Sequence, residues 1–180
     1  MLPQSTYSNR MRSVFLIAHN IRSCHNVGSL LRTAEGLGVK CVYLTGYTPY
    51  PRQTDDSRLP HIARKNHLAI SKTALGAENN ISWIHEENLD NVINSLQAKN
   101  VTVCALEQTP NSLPLPEFAP PDNLAILLGE EVNGINKELL ARVTTHLEIP
   151  MFGQKESFNV VEAATMAMYH CRFYPSSPNQ

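Results

Sequence analysis

No run in this chain approaches the roughly 20 consecutive apolar residues that span a bilayer, so a helical membrane anchor is not expected. The opening segment, Met1-Leu-Pro-Gln-Ser-Thr-Tyr-Ser-Asn-Arg10, is polar and lacks the apolar centre of a secretory signal, so export is not expected either. Cysteine is sparse. Cys24, Cys41, Cys104 and Cys171 have no metal-type spacing and read as reduced thiols of a cytoplasmic protein, which leaves neither structural zinc nor disulfides to be expected. The chain also lacks a G-x-G-x-x-G after its first strand and any G-x-x-x-x-G-K, so the usual dinucleotide and nucleoside-triphosphate readings have no support. There is no internal repeat.

What is present is an ordinary globular composition, 42% hydrophobic and 17% charged over 180 residues, enough for one domain with a real core. The net charge of −1 hides an asymmetry. Residues 1–72 hold ten Lys/Arg against Glu35, Asp55 and Asp56, a balance of +7, whereas residues 73–180 hold five against thirteen acids, a balance of −8. A basic binding face on a near-neutral protein produces this pattern, and so does a solvated surface with chance clustering.

Ser13-Val-Phe-Leu-Ile-Ala-His19 is an apolar run of the kind buried on both faces of a parallel sheet. Val27, Leu30, Leu31, Ala34 and Leu37 then gather on one side of a helix, with Arg32 nearly opposite, beside Gly28 and Glu35. A second strand at 40–45 completes a strand, helix, strand unit. Residues 46–64 show no period and read either as a substrate-facing excursion or as a disordered surface loop. Further strands are expected at 81–85, 101–106, 124–128 and 146–149, and helices at 89–99 and 136–143. The Pro-rich 107–123 segment is expected to be irregular. A last helix, 160–172, is capped by Asn159, with Glu162 placed to reach back; it is apolar on nearly every face, and its alanines suit a close neighbour, such as a second subunit. The domain therefore spans 13–173, between tails at 1–12 and 174–180, the latter expected to be unanchored. In parallel sheets ligands bind beyond the carboxyl ends of the strands, so 20–26, 107 onward, 129–134 and 150–159 are expected to converge.

Three of these segments form a set: Asn20-Ile-Arg-Ser-Cys-His-Asn-Val-Gly-Ser-Leu-Leu-Arg-Thr-Ala34, Leu127-Leu-Gly-Glu-Glu-Val-Asn-Gly134, and Ile149-Pro-Met-Phe-Gly-Gln-Lys-Glu-Ser-Phe-Asn-Val160. In this order and separation they resemble the motifs of the SpoU/TrmH-type RNA ribose 2′-O-methyltransferases of the SPOUT superfamily, over about residues 13–172. The resemblance implies a parallel α/β sheet with a C-terminal trefoil knot and a homodimer with its active site at the subunit interface. It also implies S-adenosylmethionine as cofactor and an RNA substrate; the small size suggests a compact target, tRNA in preference to rRNA, and with no paired Cys/His ligands no metal is expected. Cofactor contacts fall by position on Leu106, Gly129, Ile149, Met151, Ser157 and Phe158. The catalytic set falls on Arg32, Asn26, Glu131, Ser157 and Asn159. RNA contacts are assigned to the basic half, on Arg22, Arg52, Arg58 and Arg64, because the segment given shows no separate N-terminal RNA-binding domain.

These residue types suit the chemistry. Moving a methyl group to a ribose hydroxyl requires in-line alignment and help in removing a weakly acidic proton. A guanidinium that stays protonated is a poor literal base, so Arg32 is better suited to gripping a phosphate and polarising the hydroxyl. Taken singly, each residue has a plainer reading: Asn26 and Asn159 as helix caps, Arg32 as a solvated charge, Glu131 as a first-turn acid. Two positions depart from the family pattern. Glu130 stands where a small or amide residue is usual and sets two acids side by side, and Phe158 stands in place of Leu. The alternative function is a non-catalytic RNA-binding dimer of the same fold.

Overall fold

The computed structural model describes residues 12–175; residues 1–11 and 176–180 of the two expected tails lie outside the described residues. The opening apolar run forms β1 (Ser13–His19), whose alternation sends Val14, Leu16 and Ala18 into one core cluster and Ile17 into another. Both faces are covered, which is why an uninterrupted apolar segment is stable as a strand here. Six more strands join it: β2 (Val42–Thr45), β3 (Trp83–Glu86), β4 (Thr102–Leu106), β5 (Leu113–Pro114), β6 (Asn123–Leu128) and β7 (Thr145–Glu148). Their order is β3-β2-β1-β6-β4-β7-β5, and every pairing is parallel. The chain builds outward from β1 to β3, then crosses to the other half, so the order reverses beside β1. The crevice beyond the strand ends at such a reversal is where parallel sheets take ligands.

The helices are α1 (Cys24–Gly36), α2 (Pro60–Ala74), α3 (Leu89–Ala98), α4 (Lys137–Leu140) and α5 (Val160–Phe173). α1, α2 and α5 contribute to the cluster of Leu16, Leu44 and Ile126. α3 and the residues around α4 cover the other face, with Val92, Ile93 and Leu96 packed against Ile17, Ala105 and Leu127.

Several expectations are corrected. α1 begins at Cys24, three residues before the apolar stripe, because the Ser23 hydroxyl accepts from the Asn26 amide at 3.2 Å. Ser23 is the cap, and Asn26 sits in the first turn. The irregular stretch stops at Leu59, and Pro60 opens α2 at the position where its missing N–H costs nothing. α2 buries only Ala63, Ile70 and Ala74, against α1. The two helices close at Gly28, where a Cβ would lie 2.2 Å from the Ile70 carbonyl oxygen, so Gly28 is buried although the periodicity set it on the solvent side with Arg32. Arg32 is exposed.

Within 107–123 the chain makes the short edge strand β5 and a single 3₁₀ turn, Leu115–Glu117; Pro114 stands at the sheet edge, where a strand tolerates it. The C-terminal margin is anchored: the Tyr174 carbonyl accepts from Arg12 Nη1 at 2.5 Å, and Arg12 lies over the Tyr174 ring at 5.5 Å. α5 is capped by Asn159, whose Oδ1 accepts from the Val161 amide at 2.8 Å, with no return bond from Glu162 among the described residues. Ala164, Ala167, Met168 and Cys171 are buried, while Tyr169 and Phe173 on the other side are 59% and 40% exposed. Among the described residues, the buried side chains of α5 lie on one side.

Candidate functional site

The ends of β4, β6 and β7 and the segment leading into α5 enclose a cleft of about 340 Å³. Leu106, Gly129, Ile149, Met151, Ser157 and Phe158, the positions to which the motifs assign cofactor contacts, all stand in its wall. The floor is apolar where Leu128, Leu147, Val160 and Ala163 close it, and the rim is polar where Glu107, Gln108, Glu130 and Glu156 contribute.

Glu107 opens a segment expected at the site, but the sequence assigned the residue itself no role. It follows β4 directly, and its Oε2 accepts from the Ile135 amide at 2.7 Å, tying the strand end to the 129–134 loop. That loop closes on itself through Glu130 N–H to Gly134 O at 3.1 Å and Gly134 N–H to Glu130 O at 2.9 Å. Gly134 has φ +64°, and a Cβ there would lie 2.3 Å from Glu107 Oε2, so only glycine allows the carboxylate this close. The contact spans 28 residues of sequence, and no local pattern signals it.

Glu131 fastens the first loop to this one. Its Oε1 accepts from Asn26 Nδ2 at 3.2 Å and from the Ser23 amide at 3.3 Å, and its Oε2 accepts from the Arg22 amide at 3.1 Å. Partial burial opposes the charge, but these donors outweigh it and hold the Glu131 carboxyl below its ordinary value. It is an anion at neutral pH. The neighbouring Glu130, at the departure from the family pattern, is neutralised: it pairs with the Arg22 guanidinium, and its Oε2 accepts from Asn133 Nδ2 at 2.8 Å. Tyr47 and Glu130 hold the Arg22 guanidinium above its ordinary value. Adjacent acids here are therefore loop fasteners rather than a bare negative patch.

The remaining assigned residues divide. Asn26 and Glu131 touch, and Ser157 stands with Glu131 in the wall of the cleft. Asn159 is spent on the α5 cap. Arg32, on the exposed face of α1, neither lines the cleft nor bonds to Asn26, Glu131 or Ser157. Arg22 and Arg58 are engaged: Arg22 by Glu130, and Arg58 by Asp56 and by the carbonyls of Tyr50 and Pro51. Arg52 and Arg64 are exposed, and among the described residues neither side chain has an ion-pair partner. No group of three or more His, Cys, Asp or Glu is placed to hold a metal among the described residues, and no described helix is long and apolar enough to cross a membrane.

The cleft suits a nucleoside carrying positive charge. Its apolar floor accepts a flat base, the wall-forming 149–158 segment has backbone groups without partners among the described residues, and the Glu107 carboxylate favours a cation. Fold and site thus define a parallel-sheet α/β protein with a ligand cleft at the strand ends. Residues 13–169 match the SpoU rRNA Methylase family, and the chain belongs to it.

Among its relatives is the 23S rRNA (guanosine(2553)-2′-O)-methyltransferase RlmP of Bacillus subtilis, 28% identical over 89% of this chain and 58% of that protein. Another is the tRNA (guanosine(18)-2′-O)-methyltransferase of Borreliella burgdorferi, 24% identical over 89% of this chain and 66% of that protein. The chain thus spans about three fifths of the length of such relatives. The fold matches the crystal structure of an AdoMet-bound rRNA methyltransferase from Sinorhizobium meliloti with a TM-score of 0.74 and 21% identity, over 90% of this chain and 56% of that one.

Proposed function

We infer that this protein transfers a methyl group from S-adenosylmethionine to the ribose 2′-hydroxyl of an RNA nucleotide. The observation that carries the reading is the corner where Glu131 gathers Asn26 and the amides of Arg22 and Ser23 at the mouth of the cleft. S-adenosylmethionine, when bound, supplies an electrophilic methyl group on a sulfonium. Leu106, Gly129, Ile149, Met151, Ser157 and Phe158 would hold it, and the Glu107 carboxylate favours its positive charge. Glu131 orients Asn26 and the first loop, fixing where the RNA ribose is presented.

Arg32 grips the RNA phosphate and polarises the hydroxyl in this reading, with a phosphate or carboxylate oxygen taking the proton. It does so from a second copy of the chain, because within one chain it lies away from the cleft. The homodimer and the knotted threading belong to the same proposal, and the exposed Tyr169 on the outer side of α5 suits the subunit contact. The finer part of the proposal is a tRNA substrate, supported by a relative named for tRNA and by the small basic surface available; another relative is named for 23S rRNA.

Transfer of labelled methyl to bulk tRNA, followed by nucleoside analysis for 2′-O-methylation, tests the activity. Arg32→Ala is expected to lower transfer about a hundred- to a thousandfold while leaving the folded dimer intact. Undiminished transfer by that variant refutes the role of Arg32. Failure of the wild type to bind S-adenosylmethionine in calorimetry supports the second reading, an RNA-binding dimer without turnover, which the position of Arg32 outside the cleft favours.

A further inference from the structure

α2 has no acidic residue in its 15 positions, Pro-His-Ile-Ala-Arg-Lys-Asn-His-Leu-Ala-Ile-Ser-Lys-Thr-Ala. At about 100° per residue, His61, Arg64, Lys65, Leu68 and Lys72 fall in a single stripe, opposite the buried Ala63, Ile70 and Ala74. All five are exposed, as is Arg52 in the segment leading into the helix.

Among the described residues the cations of this stripe have no ion-pair partners. Among the described residues, ion pairs join Arg22 to Glu130, Arg58 to Asp56 and Arg142 to Asp90, and none reaches Arg52, Arg64, Lys65 or Lys72. A solvated helix on a near-neutral protein ordinarily mixes both signs, which α2 does not.

The stripe also has a defined position relative to the cleft. The Cys24 thiol of α1 donates to Asn66 Oδ1 at 3.9 Å, and the Thr73 hydroxyl donates to the His25 carbonyl at 2.8 Å. α2 is thereby fixed against the same α1 turn from which Asn26 reaches Glu131.

We propose that the exposed stripe of α2, extended by Arg52, is the track on which the phosphate backbone of the RNA substrate docks. The proposal rests on the RNA-modifying function inferred above. From His61 to Lys72 the stripe runs about 16 Å at 1.5 Å per residue, the reach of several consecutive phosphates. Leu68, 54% exposed between the cations, leaves an apolar contact for a ribose. Contacts of this kind supply affinity and orientation and carry no base preference. The face places the RNA, and the cleft performs the transfer.

The test compares two triple variants of equal charge. One is Arg64→Gln/Lys65→Gln/Lys72→Gln. The control is Lys40→Gln/Lys99→Gln/Lys137→Gln, at exposed positions elsewhere. Binding of bulk tRNA is titrated against potassium chloride, with S-adenosylmethionine binding measured in parallel. The α2 triple is expected to lose about three units of salt slope and roughly tenfold or more in affinity, with cofactor binding unchanged. The control is expected to lose far less. Equal losses in the two triples overturn the proposal, since only net charge then matters, and so does an unchanged α2 triple. A shift of the α2 triple from dimer to monomer in sedimentation also overturns it, assigning the face to a second copy of the chain. Failure of the underlying function is distinguishable: the wild type then neither binds S-adenosylmethionine nor methylates RNA, whatever the triples do.

Discussion

Residues 46–59 and 149–158 both leave the sheet beyond strand ends, and they are held in opposite ways. The first is bolted down. The Arg58 guanidinium donates to Asp56 Oδ1 at 2.8 Å and Oδ2 at 2.6 Å, to the carbonyls of Tyr50 at 2.9 Å and Pro51 at 3.1 Å, and lies 3.4 Å over the Tyr50 ring. Tyr50 in turn stacks on His85 of β3 at 3.9 Å. In the second, no hydrogen bond among the described residues involves 150–158, and Phe152 is 99% exposed. Yet the second segment carries Met151, Ser157 and Phe158 of the cleft wall. A scaffold loop satisfies its own polar groups, whereas a binding loop leaves them for what it binds.

The comparison breaks most forcefully at Arg58. Arg58→Ala leaves a carboxylate and two carbonyls without their donor, and the expected loss is about 2–4 kcal/mol in urea unfolding, with new tryptic cutting at Arg52. A loss below about 1 kcal/mol would show the loop held by other contacts. Ligand occupancy should sharpen the contrast next. In the free protein trypsin should cut at Lys155 before it cuts at Arg52 or Arg58. Saturating S-adenosylmethionine should slow the Lys155 cut about tenfold or more and leave the other two unchanged. Equal protection of all three sites would mean global stabilisation instead.

Acid should separate the two loops in the opposite sense. Hydrogen bonds from Arg58 hold the Asp56 carboxyl well below the usual carboxylate range. Because the folded value is the depressed one, this contribution to stability is complete above the unfolded value of about 4 and is lost as pH falls through the folded one. Hydrogen exchange should therefore show 46–59 loosening only below about pH 4, with no matching step in 149–158. The smallest effect belongs to Phe152→Ala, expected to stay within about 0.5 kcal/mol of the wild type in the same unfolding assay, since that ring buries nothing.

How far the chain was legible follows from how local each signal is. β1 was readable because five consecutive apolar side chains, Val14 to Ala18, between polar ends announce a strand covered on both faces. The α5 cap was readable because Asn159 bonds two residues onward. α2 was missed because its buried face is only two alanines and one isoleucine, too weak a stripe to see, and because Pro60 looks like loop until its place at the helix start is known. Glu107 was missed for the opposite reason: its partner Ile135 belongs to another loop entirely. The arginines were legible as basic residues but not as free ones, since pairing with Glu130 or Asp56 is decided by which loops meet.

By itself the sequence determined a parallel α/β sheet and which loops carry chemistry, because hydrophobic period and turn residues act over a few positions; the strand order came from the fold. Only the tertiary structure decided which charges are spent and which remain available. Electrostatic and hydrogen-bond partners lie more than a hundred residues apart, as Arg22 and Glu131 do at a separation of 109, and the folded backbone alone selects among them.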